Sequence, residues 1–135
     1  MIKNASRSKT RITSRTRKPK RPTSAKPVAP DLRGTYRGVL YLRNMERLTA
    51  AIPVIADASG LWLQDDGWIA FAARFRDGNA AERAAACFVI SVWTAGVDHD
   101  DWSGLGTFDF VDASKHLDAD CRAPIAAWFA KPWYP

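Results

Sequence analysis

Four consecutive residues, Asp98, His99, Asp100 and Asp101, hold the densest set of metal-ligating side chains in the sequence. Carboxylate oxygens suit hard divalent cations, and a neutral imidazole beside them completes a donor set able to activate water for phosphoester hydrolysis. Adjacent residues point in different directions, however, and no HxxEH, HExxH or EF-hand spacing accompanies them. A solvated acidic loop accounts for the same residues. A small metal-dependent hydrolase built on Asp98 to Asp101 is therefore kept only as an alternative, and no metal or other cofactor is expected.

The remaining catalytic candidates are thinner. His116 has no nucleophile near it in sequence. Cys87 lacks a CxxC partner and lies beside Phe88, Val89 and Ile90, a setting for a buried, reduced thiol. Cys121 is equally isolated. Ser103-Gly104-Leu105-Gly106 lacks the lysine of a phosphate loop and reads as a turn. No residue is assigned a catalytic role, and the chain reads as non-enzymatic.

Cations carry a stronger signal. Residues 1–30 contain ten Lys and Arg side chains and no acid, whereas residues 31–135 hold the other ten cations and all fourteen acids, a formal charge of −4. The net charge of +6 thus belongs to the N-terminal segment. With four prolines and few apolar residues it is expected to be a disordered, extended arm. Its composition also resembles a transit peptide, but Ile2 and Ile12 make no apolar helical face, and neither a signal-peptide core nor a membrane span is visible. A cytoplasmic protein without membrane contact is expected. Arg7, Lys9, Arg11, Arg15, Arg17, Lys18, Lys20 and Arg21 are the residues expected to bind DNA or RNA, with sequence-independent, salt-sensitive affinity from counterion release.

Arginines and aromatics also interleave within the domain. Arg33, Arg37, Tyr41 and Arg43 share one side of an alternating segment, and Trp68, Arg74 and Arg76 share one side of another. If the two were neighbouring strands, that face would offer guanidinium and stacking groups to nucleic acid. Arg37 and Arg43 join the nucleic-acid candidates on that basis, against the plainer reading of a solvated face whose arginines pair with Asp65, Asp66 or Asp77.

The elements that would position these groups read as follows. Tyr36 to Arg43 alternates as a half-buried strand, and Asn44 caps a short helix from Met45 to Ile52, stopped by Pro53. Leu61 to Gln64 and Trp68 to Arg76 flank Asp66-Gly67, a hairpin signal. The second of these also fits the helical period through Trp68, Phe71, Ala72 and Phe75, but the alternation of Ile69, Phe71, Ala73 and Phe75 favours a strand. Asn79 and Glu82 resemble a capping box opening a helix through Ala86. Cys87 to Trp93 and Thr107 to Val111 read as strands, Asp112 caps a helix to Leu117, and Pro124 opens a last helix bearing Ile125, Trp128 and Phe129. The expected fold is one α+β domain over 31–135 with a small, mostly antiparallel sheet, in the order β-α-β-β-α-β-β-α-α.

Six tryptophans are many for a domain of about 105 residues, so some should reach the surface. Trp102 in its Asp/Gly loop, and Trp133 beside Tyr134 between two prolines, are the expected anchors for a protein partner. The function expected from these features is a non-enzymatic accessory or regulatory protein, held to nucleic acid by its arm and to a protein by its domain. The alternative is a protein-binding inhibitor or adaptor in which the arm is incidental. A preference for Arg over Lys, with abundant Ala, Asp and Trp, suits a bacterial or phage genome. Oligomeric state is not legible.

Overall fold

The computed structural model describes residues 36–135, and all regular structure within them is helical. The expected α+β domain with an antiparallel sheet is therefore corrected to an all-helical one, with no strand among the described residues.

The first helix, α1 (Tyr36–Ala51), shows why. Gly38, Leu42, Met45, Leu48, Thr49 and Ile52 are buried at intervals of three and four, one continuous helical stripe. The strand reading needed Leu40 to face inward beside Leu42, but Leu40 is 43% exposed. The expected strand and the expected short helix are one helix. Pro53 then opens a 3-10 segment, Pro53–Leu63, whose inward residues Ile55, Ala58 and Trp62 follow the near three-residue period of that helix type.

Asp66-Gly67 is not a hairpin turn. Asp66 is left-handed at φ 53°, while Gly67 starts α2 (Gly67–Phe75) against the 3-10 segment. A Cβ at Gly67 would lie 1.9 Å from the Leu61 carbonyl oxygen, so only glycine permits that approach. Phe71, Ala72 and Phe75 of α2 are buried and Ala73 is exposed, the helical rather than the alternating pattern.

The capping box expected at Asn79 is present. Glu82 N donates to Asn79 Oδ1 at 2.9 Å and Asn79 N donates to Glu82 Oε1 at 3.0 Å. It opens α3 (Ala80–Trp93), which runs through the segment expected to be a strand, because nothing between Ala86 and Cys87 breaks a helix. Ala85 to Ile90 are all buried, so α3 is the central helix, packed by α1, the 3-10 segment, α2 and α5.

The short α4 (Asp100–Ser103) ends at Gly104, which is left-handed at φ 68°. α5 (Phe110–His116) is capped not by Asp112 but by Asp109, whose Oδ1 accepts from Val111 N and Asp112 N. That cap converts the expected strand at Thr107 to Val111 into a helix entry. α6 (Ala119–Ala130) likewise starts before Pro124, because Asp118 accepts from Cys121 N, leaving Pro124 inside the helix. The same hydrogen bond holds the Asp118 carboxyl below the usual carboxylate range. No helix among the described residues is long and apolar enough to cross a membrane.

Candidate functional site

Residues of α5 and α6, together with Phe108 and Leu117, line an apolar groove of about 180 Å³. Its walls include Phe108, Phe110, Leu117, Ile125 and Phe129, with Arg122 as the charged group on its lining. A run of ring contacts connects it to the core. Phe88, buried in α3, meets Phe108 at 5.4 Å and Trp128 at 5.6 Å between centroids, Phe108 meets Phe110 at 5.4 Å, and Phe110 meets Phe129 at 4.7 Å. The run ends in solvent, where Phe110 is 57% exposed, Val111 66% and Phe129 43%. Phe110 and Phe129 therefore stand in water on the walls of one concavity, with Val111 exposed next to Phe110 in the chain, an apolar patch of the kind that marks an interaction site.

The charged residue at this groove is held in place. Arg122 Nη1 donates to the Leu117 carbonyl at the end of α5. Its side chain has no close ion pair with a carboxylate of the described residues, although its charge helps hold the Asp118 carboxyl low, and it places a cation beside the aromatic rings.

The tryptophans expected to anchor a partner lie elsewhere. Trp102 is half-buried, edge-on to Trp68 at 5.0 Å and close to His99. Trp133 is half-buried against the core, and its carbonyl accepts from Trp128 Nε1 at 3.1 Å. Tyr134 is exposed and stands edge-on to Trp128 at 5.5 Å. Trp62 and Trp128 are buried, and Trp68 and Trp93 are half-buried against the core.

The loop at Asp98 to Asp101 turns its histidine inward. His99 is buried, with Nδ1 at 2.7 Å from Ser103 Oγ and Nε2 at 3.1 Å from Ser91 Oγ. Ser91 spends its hydroxyl proton on the Cys87 carbonyl at 2.8 Å, so it accepts from His99 Nε2–H. Nδ1 then accepts from Ser103, whose oxygen accepts in turn from Leu105 N at 3.2 Å. Every polar atom of this relay is satisfied with the imidazole neutral, and burial drives the His99 pKa below its usual 6.5 against the opposing pull of Asp98, Asp100 and Asp101. Ser103 is fully buried, which withholds this Ser-His contact from any external substrate. Among the described residues, no three His, Cys, Asp or Glu side chains are grouped to hold a metal ion. Asp98 and Asp100 serve the loop itself, accepting from Asp100 N and Gly106 N.

Among the described side chains, the arginines of the expected sheet face are engaged separately. Arg37 falls in the first turn of α1, and Arg43 is exposed further along the same helix, within 3.5 Å of Glu46. Arg74 pairs at 2.7 Å with Asp57 rather than with the expected Asp65, Asp66 or Asp77. Arg76 donates to the carbonyls of Ser103 at 3.0 Å and Trp102 at 3.2 Å, and Arg83 donates to those of Arg76 and Gly104, so the two clamp the α4 turn onto α2 and α3. Arg7, Lys9, Arg11, Arg15, Arg17, Lys18, Lys20, Arg21 and Arg33 lie outside the described residues. Both cysteines are free and buried, and burial pushes the Cys87 thiol up to about 11, the wrong direction for a nucleophile.

Sequence reasoning alone misses the groove. Alternation over Thr107 to Val111 turns Phe110 inward on a strand, and only recognition of Asp109 as a helix cap turns it outward beside Phe129. The chain matches no family model, no curated protein and no solved structure.

Proposed function

We propose that this protein is a non-enzymatic adaptor: its helical domain holds a protein partner in the α5–α6 groove, and its basic N-terminal segment brings that complex to nucleic acid. The observation that carries the reading is the exposure of Phe110 and Phe129 on the walls of one concavity, with Val111 exposed next to Phe110 in the chain. Ordering three large apolar side chains in water is unfavourable unless something covers them. The occupant is an amphipathic segment of a partner, with large apolar residues at helical spacing and a carboxylate facing Arg122. The acid-free cluster of ten cations in residues 1–30 supports the nucleic-acid half of the reading. Two free, buried thiols suit a reducing cytoplasm.

Selection of displayed random peptides on the full chain tests the domain's role. Peptides from the wild type should carry apolar residues spaced three and four apart with a neighbouring Asp or Glu. Those selected on Arg122→Glu should exchange that acid for Lys or Arg, and Phe110→Ser should compete for neither set. Selected peptides without an apolar repeat, or with the same charge preference on both proteins, would remove the groove from the account.

A further inference from the structure

A second concavity, about 200 Å³, lies between α3 and the segment leading into α5. It shares Phe108 with the apolar groove but differs in chemistry. One wall is a stripe of α3 in which Arg83 stands beside the small residues Ala84 and Cys87, and the facing wall presents Thr107, Asp109 and Asp112. Opposite charges thus line one cavity, yet Arg83 makes no ion pair with either carboxylate.

That separation is fixed by the fold. The guanidinium is tied to the carbonyls of Arg76 and Gly104, neutral acceptors that set its position without cancelling its charge. Asp109 is tied from the other side, since its Oδ1 caps α5 through Val111 N and Asp112 N, while the residue lines the cavity. Asp112 lies 3.6 Å from His116 through one oxygen only. The Cys87 thiol donates to the Gly106 carbonyl at 3.4 Å and adds an uncharged floor. A half-buried cation and a fixed carboxylate held apart across a cleft are convergent polar groups of the sort that orient a small ligand.

We propose that this cavity binds a small zwitterion of amino-acid size, with its carboxylate on Arg83 and its ammonium on Asp109 and Asp112. The size follows from the volume, which falls below the roughly 300–1,000 Å³ of sites for drug-sized ligands. The charge follows from the walls: a ligand with one charge would satisfy one side and leave the other facing it unpaired. A guanidinium matches a carboxylate in two parallel hydrogen bonds, which fixes the ligand's orientation. Apart from the shared Phe108, the residues of this site are distinct from those of the partner groove.

The test is a titration of the isotope-labelled full chain, followed by amide chemical shifts. The probes are glycine, β-alanine and γ-aminobutyrate, with propionate and propylamine as single-charge controls. At least one zwitterion should shift the amides of Arg83, Cys87, Thr107 and Asp109 saturably. Each control should bind roughly tenfold or more weakly, the loss expected for one charged hydrogen bond. Asp112→Asn, an exposed change that leaves the core untouched, should weaken the zwitterion and leave propionate unaltered. Arg83→Gln should weaken both. No saturable shift with any zwitterion would overturn the proposal, and so would propionate binding as tightly as the best zwitterion.

Discussion

His99 Nδ1 lies 2.7 Å from Ser103 Oγ, and both residues are buried. Protonating the imidazole would place an N–H against a hydroxyl that already accepts from Leu105 N and whose own proton would then lack an acceptor. The folded chain therefore takes up this proton less readily than the unfolded chain. With the folded pKa below 6.5, stability from this site is complete above about pH 6.5 and declines as pH falls below it, because the unfolded state binds the proton first. The decline is at most about 1.4 kcal/mol per pH unit. Urea denaturation of wild type and His99→Gln between about pH 7 and pH 5 checks it, with the wild type losing more stability than the variant. Parallel losses would assign the acid sensitivity to other groups.

A second buried pair tests the joint between α1 and the 3-10 segment. Trp62 Nε1 donates to Thr49 Oγ1 at 2.8 Å, and that hydroxyl donates to the Met45 carbonyl at 2.9 Å. Thr49→Val keeps the shape and strands the indole N–H, which should cost about 1–3 kcal/mol. Thr49→Ser keeps the acceptor and should cost less. Equal melting temperatures for the two variants would show that the hydrogen bond contributes little.

Trp128 ties the C-terminal tail to α6. Its ring meets Phe88, Phe129 and Tyr134, and its indole N–H holds the Trp133 carbonyl. Trp128→Ala should destabilise the fold by about 3–5 kcal/mol, as large-to-small core changes do. Thermal unfolding followed by circular dichroism reads this directly, and an unchanged midpoint would place the side chain outside the core.

These pairs also show what the sequence made legible. The capping box at Asn79, the burial of Cys87 and the inward placing of Ile125 and Trp128 could be read because each rests on neighbours a few residues away, whereas Phe129, expected on the same inward stripe, is 43% exposed. The sheet could not be excluded. Ala, Trp and Phe at Trp68 to Phe75 satisfy both periods, and six consecutive buried residues in α3 hide a helical pattern, since an all-round buried helix has no polar face to reveal it. The candidate site depended on that distinction. Phe110 and Phe129 come together only if Asp109 caps a helix, and the Arg83 cavity exists only where the α3 stripe faces the entry to α5.

The adaptor reading requires two binding functions in one chain that can be removed separately. Replacing Arg17, Lys18, Lys20 and Arg21 by Gln removes four cations from the acid-free segment, whereas Phe110→Ser alters a wall of the groove.

The most direct measurement is binding of a short random-sequence DNA duplex to the full chain across a salt series, for wild type and both variants. In the arm variant affinity should fall, and the slope of log affinity against log salt should shrink by up to roughly 3.6, about 0.9 for each phosphate no longer neutralised. The Phe110→Ser curve should overlay the wild type. An arm variant with an unchanged slope, or a groove variant that no longer binds the duplex, would contradict the division of labour between basic segment and helical domain.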